Sequence, residues 1–226
     1  RWIEQNKVPE GYYFDLCRLA CIDVDYSKFS FKEKDQFFTE DETAKECVNI
    51  VYEFLKDTDI DISEYTFIEP SAGAGAFLSH LPENTVALDI EPRGENILQE
   101  DFLLWSPSTS KNIVIGNPPF GLRGNTALKF INRAATFSDL VCFILPPLFN
   151  SGGKGNCRDR VKGLNLIKTV EIKPSFQYPD GKKVSVNTLF QIWSKIHESN
   201  TVKVNVSNDI KVYSLSDGGT SSSTRN

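Results

Sequence analysis

The chain has 226 residues, of which 40% are hydrophobic and 24% charged, and its formal net charge is −5. This length and composition suit one globular domain with a sizeable core. No stretch reaches the roughly 18 uninterrupted apolar residues of a membrane helix, and the opening residues Arg1-Trp2-Ile3-Glu4 do not resemble a secretory signal.

The cysteine and histidine content bears on the compartment and on metal binding. The five cysteines are an odd number and are spread along the chain, which favours reduced thiols in an intracellular compartment, cytoplasmic or nuclear. Only two histidines are present, and no second cysteine or histidine pair completes a zinc-ligand pattern. We therefore expect no metal cofactor.

The predicted elements alternate between helices and strands. Residues 1–35 mix aromatic and charged side chains without a clear period, which predicts a partly helical extension, and apolar residues recur at helical spacing from Thr43 to Leu55. Four short apolar runs, each ending at a Pro, Gly or Asp loop, are typical of strands buried on both faces of a parallel sheet. These are Tyr65–Ile68, Val86–Ile90, Asn112–Ile115 and Leu140–Leu145, with a helix over Thr126–Ala135 between the last two.

Two later strands, at Leu166–Ile172 and Thr188–Ile196, are predicted to close the sheet as an edge hairpin. The order of elements predicts an α/β domain over residues 36–215, with its ligand at the carboxyl ends of the first strands. Residues 216–226 are rich in serine and glycine and are predicted to be a disordered tail.

A glycine turn follows the first strand, in the segment Phe67-Ile68-Glu69-Pro70-Ser71-Ala72-Gly73-Ala74-Gly75-Ala76-Phe77. It predicts a strand, an acidic residue, a tight turn and then a helix, and its small residues allow a nucleotide to approach the backbone closely. The third glycine of the dinucleotide pattern would fall at Leu78, and no Gly-Lys-Ser/Thr follows. A nicotinamide-dinucleotide fingerprint and a Walker A loop are therefore both excluded.

The second strand ends at Asp89, 16 residues after Gly73 of the glycine turn. An acidic side chain at this place accepts hydrogen bonds from both hydroxyls of a ribose. Asp89 is the candidate, and Glu91 is the alternative. Together, the turn and the acid predict a nucleoside-binding half-site.

The third strand runs into Asn117-Pro118-Pro119-Phe120. The two prolines remove two backbone donors and stiffen the turn, so the Asn117 side chain and the Pro118 carbonyl are left as acceptors beside the flat face of Phe120. Two acceptors and a ring suit a planar group that carries an exocyclic NH2, because the acceptors take its two hydrogens and the ring stacks on its plane. These four residues are the predicted catalytic set.

These segments, together with Asp101-Phe102-Leu103-Leu104-Trp105, occur in the order and spacing of class I S-adenosylmethionine-dependent methyltransferases, which the chain resembles. It looks most like the N6-adenine DNA methyltransferases whose permutation places the methionine-binding segment, here Gln36-Phe37-Phe38-Thr39, first. The resemblance covers about Gln36 to Lys195. It implies a Rossmann-like, mostly parallel seven-stranded sheet with an antiparallel edge hairpin, S-adenosylmethionine as cofactor, and transfer to the N6 amine of adenine in nucleic acid, with DNA favoured.

The resemblance also implies a role for each matching residue. Thr39, Glu69, Ala72 and Gly73 would hold the methionine end of the cofactor, and Asp89 its ribose. Asp101 would accept from the adenine amine of the cofactor, and Phe102 would cover its adenine ring. Asn117, Pro118 and Phe120 would hold the target base, beside a late hairpin over Phe176–Trp193.

Two departures from the family pattern concern recognition. Glu40 stands where the family usually has proline, and only about thirty residues follow Trp193, too few for a separate target-recognition domain. Sequence-specific recognition of duplex DNA would then need a partner subunit or a region outside this sequence. Basic residues concentrate in residues 151–226, and we expect five of them to contact phosphates: Lys154, Arg158, Arg160, Lys182 and Lys183.

Other functions stay open at this point. Asn-Pro-Pro-aromatic turns also serve methyltransferases that act on a glutamine side-chain amide of a protein, and small RNA-adenine methyltransferases share Asn-Pro-Pro-Phe-Gly. A non-catalytic, cofactor-binding scaffold subunit is the remaining alternative. A cytosine-C5 enzyme is disfavoured, because such enzymes need a nucleophilic cysteine, typically after proline, and none of the five cysteines follows one.

Overall fold

The computed structural model describes residues 12–22, 24–30, 37–152 and 156–198. Within them, three α-helices are α1 (Tyr13–Leu19), α2 (Asp41–Lys56) and α3 (Asn125–Ala134). The strands are β1 (Phe38–Thr39), β2 (Thr66–Glu69), β3 (Val86–Asp89), β4 (Leu98–Gln99), β5 (Asn112–Gly116), β6 (Leu140–Leu145), β7 (Asn165–Glu171), β8 (Phe176–Gln177), β9 (Lys183–Val184) and β10 (Leu189–Ser194).

Seven strands form one sheet in the order β4-β3-β2-β5-β6-β10-β7. The first five are parallel to their neighbours, and β10 is antiparallel to both β6 and β7. The predicted α/β sheet with an antiparallel hairpin is confirmed, with β10 inserted inside the sheet and β7 at the edge. The strand order reverses direction at β2 and β5, and ligands bind at the carboxyl ends of strands at such a switch point.

Burial explains why these segments form strands and helices. Every residue of β5 and β6 is buried, as expected for central strands covered on both faces. Helix α2 buries one apolar stripe against the sheet, and its first turn carries acidic residues while its last carries Lys56, which suits the helix dipole. Helix α3 likewise presents a buried face that includes Leu128 and Ile131.

The helix predicted after the glycine turn is wrong. The chain between β2 and β3 runs through turns and makes only one 3₁₀ turn, Leu78–His80. Gly73 and Gly75 have φ of +55° and +87°, outside the right-handed helical region, and Pro82 disfavours helical backbone at Leu81, which is extended. Too few residues remain between these positions for an α-helix.

A second sheet of three short strands, in the order β1-β8-β9, was not predicted. Strand β1 pairs antiparallel with β8, so that Phe38 lies opposite Gln177 and Thr39 opposite Phe176. Strands of two residues carry no usable periodicity, which is why the sequence analysis missed them. The pairing brings the segment before α2 against the late hairpin.

The N-terminal region contacts the domain through α1. Arg18 Nε lies 2.6 Å from Asp101 Oδ2, and Asp15 pairs with Lys129 of α3 at 2.5 Å. No helix in the described part of the chain is long and apolar enough to span a membrane. The predicted tail at 216–226 lies outside the described residues.

Candidate active site

A small cavity opens where the carboxyl ends of β2 and β5 meet the segment around β1. Its volume is about 30 Å³, room for one or two water molecules, so a ligand of nucleoside size requires its wall to move. Five of the predicted site residues lie together in its lining, namely Thr39, Glu69, Ala72, Gly73 and Asn117. The remaining lining residues are Phe37, Phe38, Ser71, Ala74, Ala76 and Phe77.

Gly73 brings the backbone of the turn close to β1. Its φ is +55°, and a Cβ added there would lie 2.9 Å from the ring of Phe38. Only glycine fits at this position, because both the left-handed backbone and the aromatic ring exclude a side chain. Phe38 therefore forms the part of the wall that covers the glycine turn, a role that the sequence analysis did not assign to it.

Asp89 holds the glycine turn in place. Its Oδ2 accepts from the Gly73 N–H at 2.7 Å, and its Oδ1 accepts from the Glu91 N–H at 2.7 Å. Burial raises the pKa of this carboxyl, although the two backbone hydrogen bonds oppose that rise. Each oxygen keeps a second lone pair for a further donor.

Glu69 ends β2 and is only 2% exposed. Burial, reinforced by the negative charge of Asp89, raises the pKa of its carboxyl to about 8. Its Oε2 is buried and accepts no hydrogen bond from any described residue. A buried carboxyl group without a partner, lining a cavity, is a candidate binding group for a cation or a strong donor.

The Asn117 corner follows β5 directly. The Nδ2 of Asn117 donates to the Thr39 hydroxyl at 3.2 Å, and its main-chain carbonyl accepts from the Ser71 hydroxyl at 3.1 Å. Its Oδ1 is buried and has no donor among the described residues. The corner therefore has an oxygen acceptor, Oδ1, that no described residue occupies. Pro118 is buried behind it.

The Phe120 ring belongs to an aromatic cluster. It is 8% exposed and meets Phe37 edge to face, with ring centroids 5.5 Å apart. Phe37 in turn meets Phe176 at 5.3 Å. The flat face expected of Phe120 is therefore largely covered, and a planar group that stacks on it has to displace Phe37.

Asp101 and Phe102 do not line this cavity. The carboxylate of Asp101 accepts from Arg18 Nε at 2.6 Å and from the Leu103 N–H at 2.9 Å. Phe102 is 1% exposed, with its ring stacked on Phe130 at 5.2 Å. The structure thus makes Phe102 a core residue and gives no support to its predicted cover over an adenine ring. Arg18 stands 83 positions from Asp101, and no local pattern reveals such a pair.

The predicted phosphate-contacting residues lie on two segments. Arg158 and Arg160 form one 3₁₀ turn, where the neighbouring Cys157 Sγ donates to the Arg123 carbonyl at 3.5 Å. This contact places the turn beside the residues that follow Phe120, and it adds Arg123, which the sequence analysis missed. Lys154 lies outside the described residues.

The hairpin of β8 and β9 carries the other two lysines. Lys182 is exposed, and Lys183 forms an exposed ion pair with Glu40 at 3.3 Å. Glu40 stands immediately after β1, so the pair connects the hairpin with the segment that holds Thr39. No group of three or more potential metal ligands occurs within the described ranges.

Comparison with known proteins finds no protein-family profile that matches the chain. A curated relative, the type II methyltransferase M.TthHB8I of Thermus thermophilus, is 32% identical over 26% of this chain and 17% of its own length. The chain therefore spans about a sixth of the length of that relative.

Among solved structures, a Pyrococcus horikoshii protein provisionally assigned as an RNA methyltransferase is similar with a TM-score of 0.50 and 17% identity, over 69% of this chain and 85% of that one. Magnesium protoporphyrin IX methyltransferase of Synechocystis with bound S-adenosylmethionine is similar with a TM-score of 0.47 and 12% identity, over 84% and 98%. The strand order and the Pyrococcus structure confirm the predicted Rossmann-like methyltransferase fold.

Proposed function

We propose that this chain is an S-adenosylmethionine-dependent methyltransferase that transfers a methyl group to the exocyclic N6 amine of adenine in nucleic acid, with DNA the favoured substrate. The observation that carries this proposal is the free Oδ1 of Asn117. It is a buried acceptor, on a corner stiffened by two prolines, in the same cavity as Glu69 and Gly73. That cavity lies at the switch point of the sheet, where the fold binds its ligands.

The groups that line the cavity suit the methionine end of the proposed cofactor, which would enter once the wall of the cavity moves. The unpartnered Oε2 of Glu69 suits its ammonium group, and the backbone at Ala72 and Gly73 would contact the cofactor once Phe38, which covers Gly73, moves aside. Asp89 keeps a lone pair on each oxygen for ribose hydroxyls, and Asp101 would accept the adenine amine of the cofactor once Arg18 releases it. When bound, the cofactor supplies an electrophilic methyl group on a sulfonium.

The residues of the corner would activate the target amine. An aromatic amine is a weak nucleophile because its lone pair is delocalised into the ring. Asn117 Oδ1 and the Pro118 carbonyl would accept its two hydrogens and localise the lone pair toward the methyl group. Phe120 would stack on the base after Phe37 moves aside. The amine nitrogen held by the corner would take the methyl group as its bond to sulfur breaks, and the methylated amine would then release a proton to water. Positioning and fixed dipoles supply the acceleration.

The basic segments would bind the phosphates of the substrate. Arg158 and Arg160 lie beside the corner because the neighbouring Cys157 contacts the Arg123 carbonyl, and Lys182 and Lys183 lie on the hairpin that pairs with β1. Lys154 would add to the first group. Binding through several phosphates weakens steeply as salt concentration rises. A partner subunit, or a region outside this sequence, would supply the selection of a target sequence.

The decisive experiment offers labelled cofactor with separate pools of duplex DNA, single-stranded DNA, RNA and protein, followed by mass spectrometry of nucleosides. We expect N6-methyladenine in nucleic acid. Label confined to protein would establish a protein methyltransferase, and cofactor binding without transfer to any pool would establish a scaffold subunit. Label found only on adenine of RNA would show that the substrate is RNA and not DNA.

Asn117→Ala tests the corner itself. We expect it to lower transfer by more than about 100-fold, because it removes the acceptor that activates the amine. The affinity for S-adenosylhomocysteine should stay within about threefold. Leu98→Ala replaces an exposed leucine on the edge strand β4, three strands away from β5, and this control should behave as wild type. Full activity in Asn117→Ala would contradict the mechanism.

A further inference from the structure

We propose that the loop Gly121–Gly124 is a wedge that enters duplex nucleic acid beside the target adenine, with Leu122 inserted in the base stack and Arg123 on a phosphate. This inference rests on the proposed function and adds to it how the base leaves the duplex. A base inside a duplex is inaccessible to a deep cavity, so an enzyme acting on it has to extrude the base. Apolar side chains that insert between base steps are a known means of opening a stack.

The loop follows the target-binding corner without an intervening residue. Its first anchor is the Phe120 carbonyl, which accepts from the N–H groups of Thr126 and Ala127 at 3.1 and 3.2 Å. Its second is the Gly124 N–H, which donates to the Gly121 carbonyl at 3.2 Å. The loop is therefore tied to the start of α3 on one side and to the predicted target ring on the other.

The backbone of the loop is held in a tight, left-handed form. Gly121 and Gly124 have φ of +68° and +71°, and a Cβ would lie 2.0 Å from Thr126 Oγ1 at the first and 2.7 Å from Leu148 Cδ1 at the second. Arg123 lies between them with φ 54° and ψ 37°. A non-glycine residue rarely adopts this conformation, and it persists only where the surrounding contacts impose it. The loop is consequently rigid, and its two central side chains point away from the packed backbone.

Those two side chains are exposed. Leu122 is 58% exposed, and Arg123 is exposed beside it. A single exposed leucine is common on protein surfaces. This one stands on a rigid turn next to the target ring and is accompanied by cations. The Arg123 carbonyl contacts Cys157 Sγ, and Arg160 reaches Asn125 Oδ1 at 3.4 Å.

An apolar tip flanked by arginines matches the chemistry of duplex nucleic acid, which has a stacked apolar interior and charged strands on either side. Leu122 would occupy the space left in the stack, and the arginines would hold the strands by their phosphates. One exposed apolar side chain with arginines on the neighbouring turn therefore suits duplex nucleic acid better than the surface of a protein.

The test compares three oligonucleotides that present the same adenine as a normal base pair, opposite an abasic site, or in a single strand. We expect Leu122→Ala to lower kcat/KM at least tenfold on the paired adenine and to stay within about twofold of wild type on the two unpaired ones, because these need no wedge. Leu98→Ala is the matched control and should leave all three values unchanged. The proposal is overturned if Leu122→Ala affects all three substrates equally or affects none of them. It is also overturned if the wild-type enzyme methylates only unpaired adenine.

Two further measurements keep the outcome independent of folding and of methyl transfer. Glycine adopts the left-handed backbone of position 123 without strain, so we expect the Arg123→Gly variant to fold. It should bind the paired and the single-stranded oligonucleotides more weakly than wild type, and to the same extent. Binding of a duplex with 2-aminopurine at the target position should raise its fluorescence with wild type and not with Leu122→Ala. A wild-type protein that opens this duplex without methylating any pool would refute the proposed function alone, whereas equal fluorescence with both proteins would refute the wedge alone.

Discussion

Thr39 and Asn117 are 78 positions apart in the chain, and one hydrogen bond of 3.2 Å joins them, from Nδ2 to Oγ1. In this bond the NH2 end of the side-chain amide is the one that contacts Thr39. The free end is Oδ1, the acceptor that the proposed reaction needs. The threonine next to α2 thus orients the side chain that follows β5.

This relationship predicts the effect of Thr39→Val, which keeps the shape of the side chain and removes the acceptor. We expect kcat to fall about 10- to 100-fold, because the buried NH2 loses its partner and the amide can rotate. Affinity for S-adenosylhomocysteine should change by less than about threefold. Thr39→Ser retains the hydroxyl and should keep most of the activity. A wild-type kcat in Thr39→Val would show that Asn117 is oriented by other contacts.

Glu69 predicts a pH dependence of stability. Its pKa is about 8 in the folded protein against 4.5 for an ordinary glutamate, so the folded state holds a proton that the unfolded chain has lost. Its contribution is fully present below about pH 4.5, declines as the pH rises and is lost above about pH 8. Glu69→Gln cannot ionise, and its free energy of unfolding, from urea denaturation at pH 5 to 9, should lack this decline. Parallel pH profiles for the two proteins would disprove the assignment.

Arg18 predicts a change in cofactor affinity. Its guanidinium occupies Asp101 Oδ2, the atom expected to accept the adenine amine. Arg18→Ala should therefore tighten binding of S-adenosylhomocysteine by about three- to tenfold in calorimetry, by removing a competitor. S-inosylhomocysteine has no exocyclic amine and should show no gain. Weaker binding of both ligands would instead mean that Arg18 positions Asp101 for the cofactor.

The buried position of Phe102 predicts that substitutions there change the stability of the protein and leave its affinity for the cofactor unchanged. Its ring is buried against Phe130, so Phe102→Ala should lower the free energy of unfolding by about 3–5 kcal/mol. Phe102→Leu keeps apolar volume and should cost less than about 1.5 kcal/mol, with S-adenosylhomocysteine affinity within threefold of wild type. A tenfold loss of affinity in the folded Phe102→Leu variant would show that Phe102 does cover the adenine ring of the cofactor.

The contacts of Glu40 predict how stability changes when this residue is replaced by proline, which the resembled family usually has at this position. Its φ of −75° already suits proline, but its N–H donates to the Ser175 carbonyl at 3.0 Å. Glu40→Pro should therefore lower the free energy of unfolding by about 1 kcal/mol. Glu40→Gln removes the charge that pairs with Lys183 and keeps an amide oxygen that can accept from Ser175, so it should lower the stability less than Glu40→Pro. A more stable proline variant would show that the Ser175 bond contributes little.

Much of the fold could be predicted from local patterns. The apolar runs of β2, β5 and β6 and the amphipathic stretch of α2 each record burial within a few residues, and all four were predicted nearly at their observed bounds. The helix predicted after the glycine turn is wrong because Gly73 and Gly75 have positive φ and Leu81, before Pro82, is extended, which leaves too few residues for an α-helix. The strands of the small sheet are too short to leave any pattern.

The sequence by itself determined the α/β architecture and the positions of the glycine turn, the strand-end acid and the Asn-Pro-Pro-Phe corner, because the backbone preferences of glycine and proline and the period of apolar residues act over short range. Only the tertiary structure decided that Thr39 orients Asn117, that Arg18 occupies Asp101, that Phe102 belongs to the core and that Phe37 covers Phe120. Each of these depends on which distant segments meet across the sheet, and the free energy of such a contact comes from packing and burial that no single stretch of sequence contains.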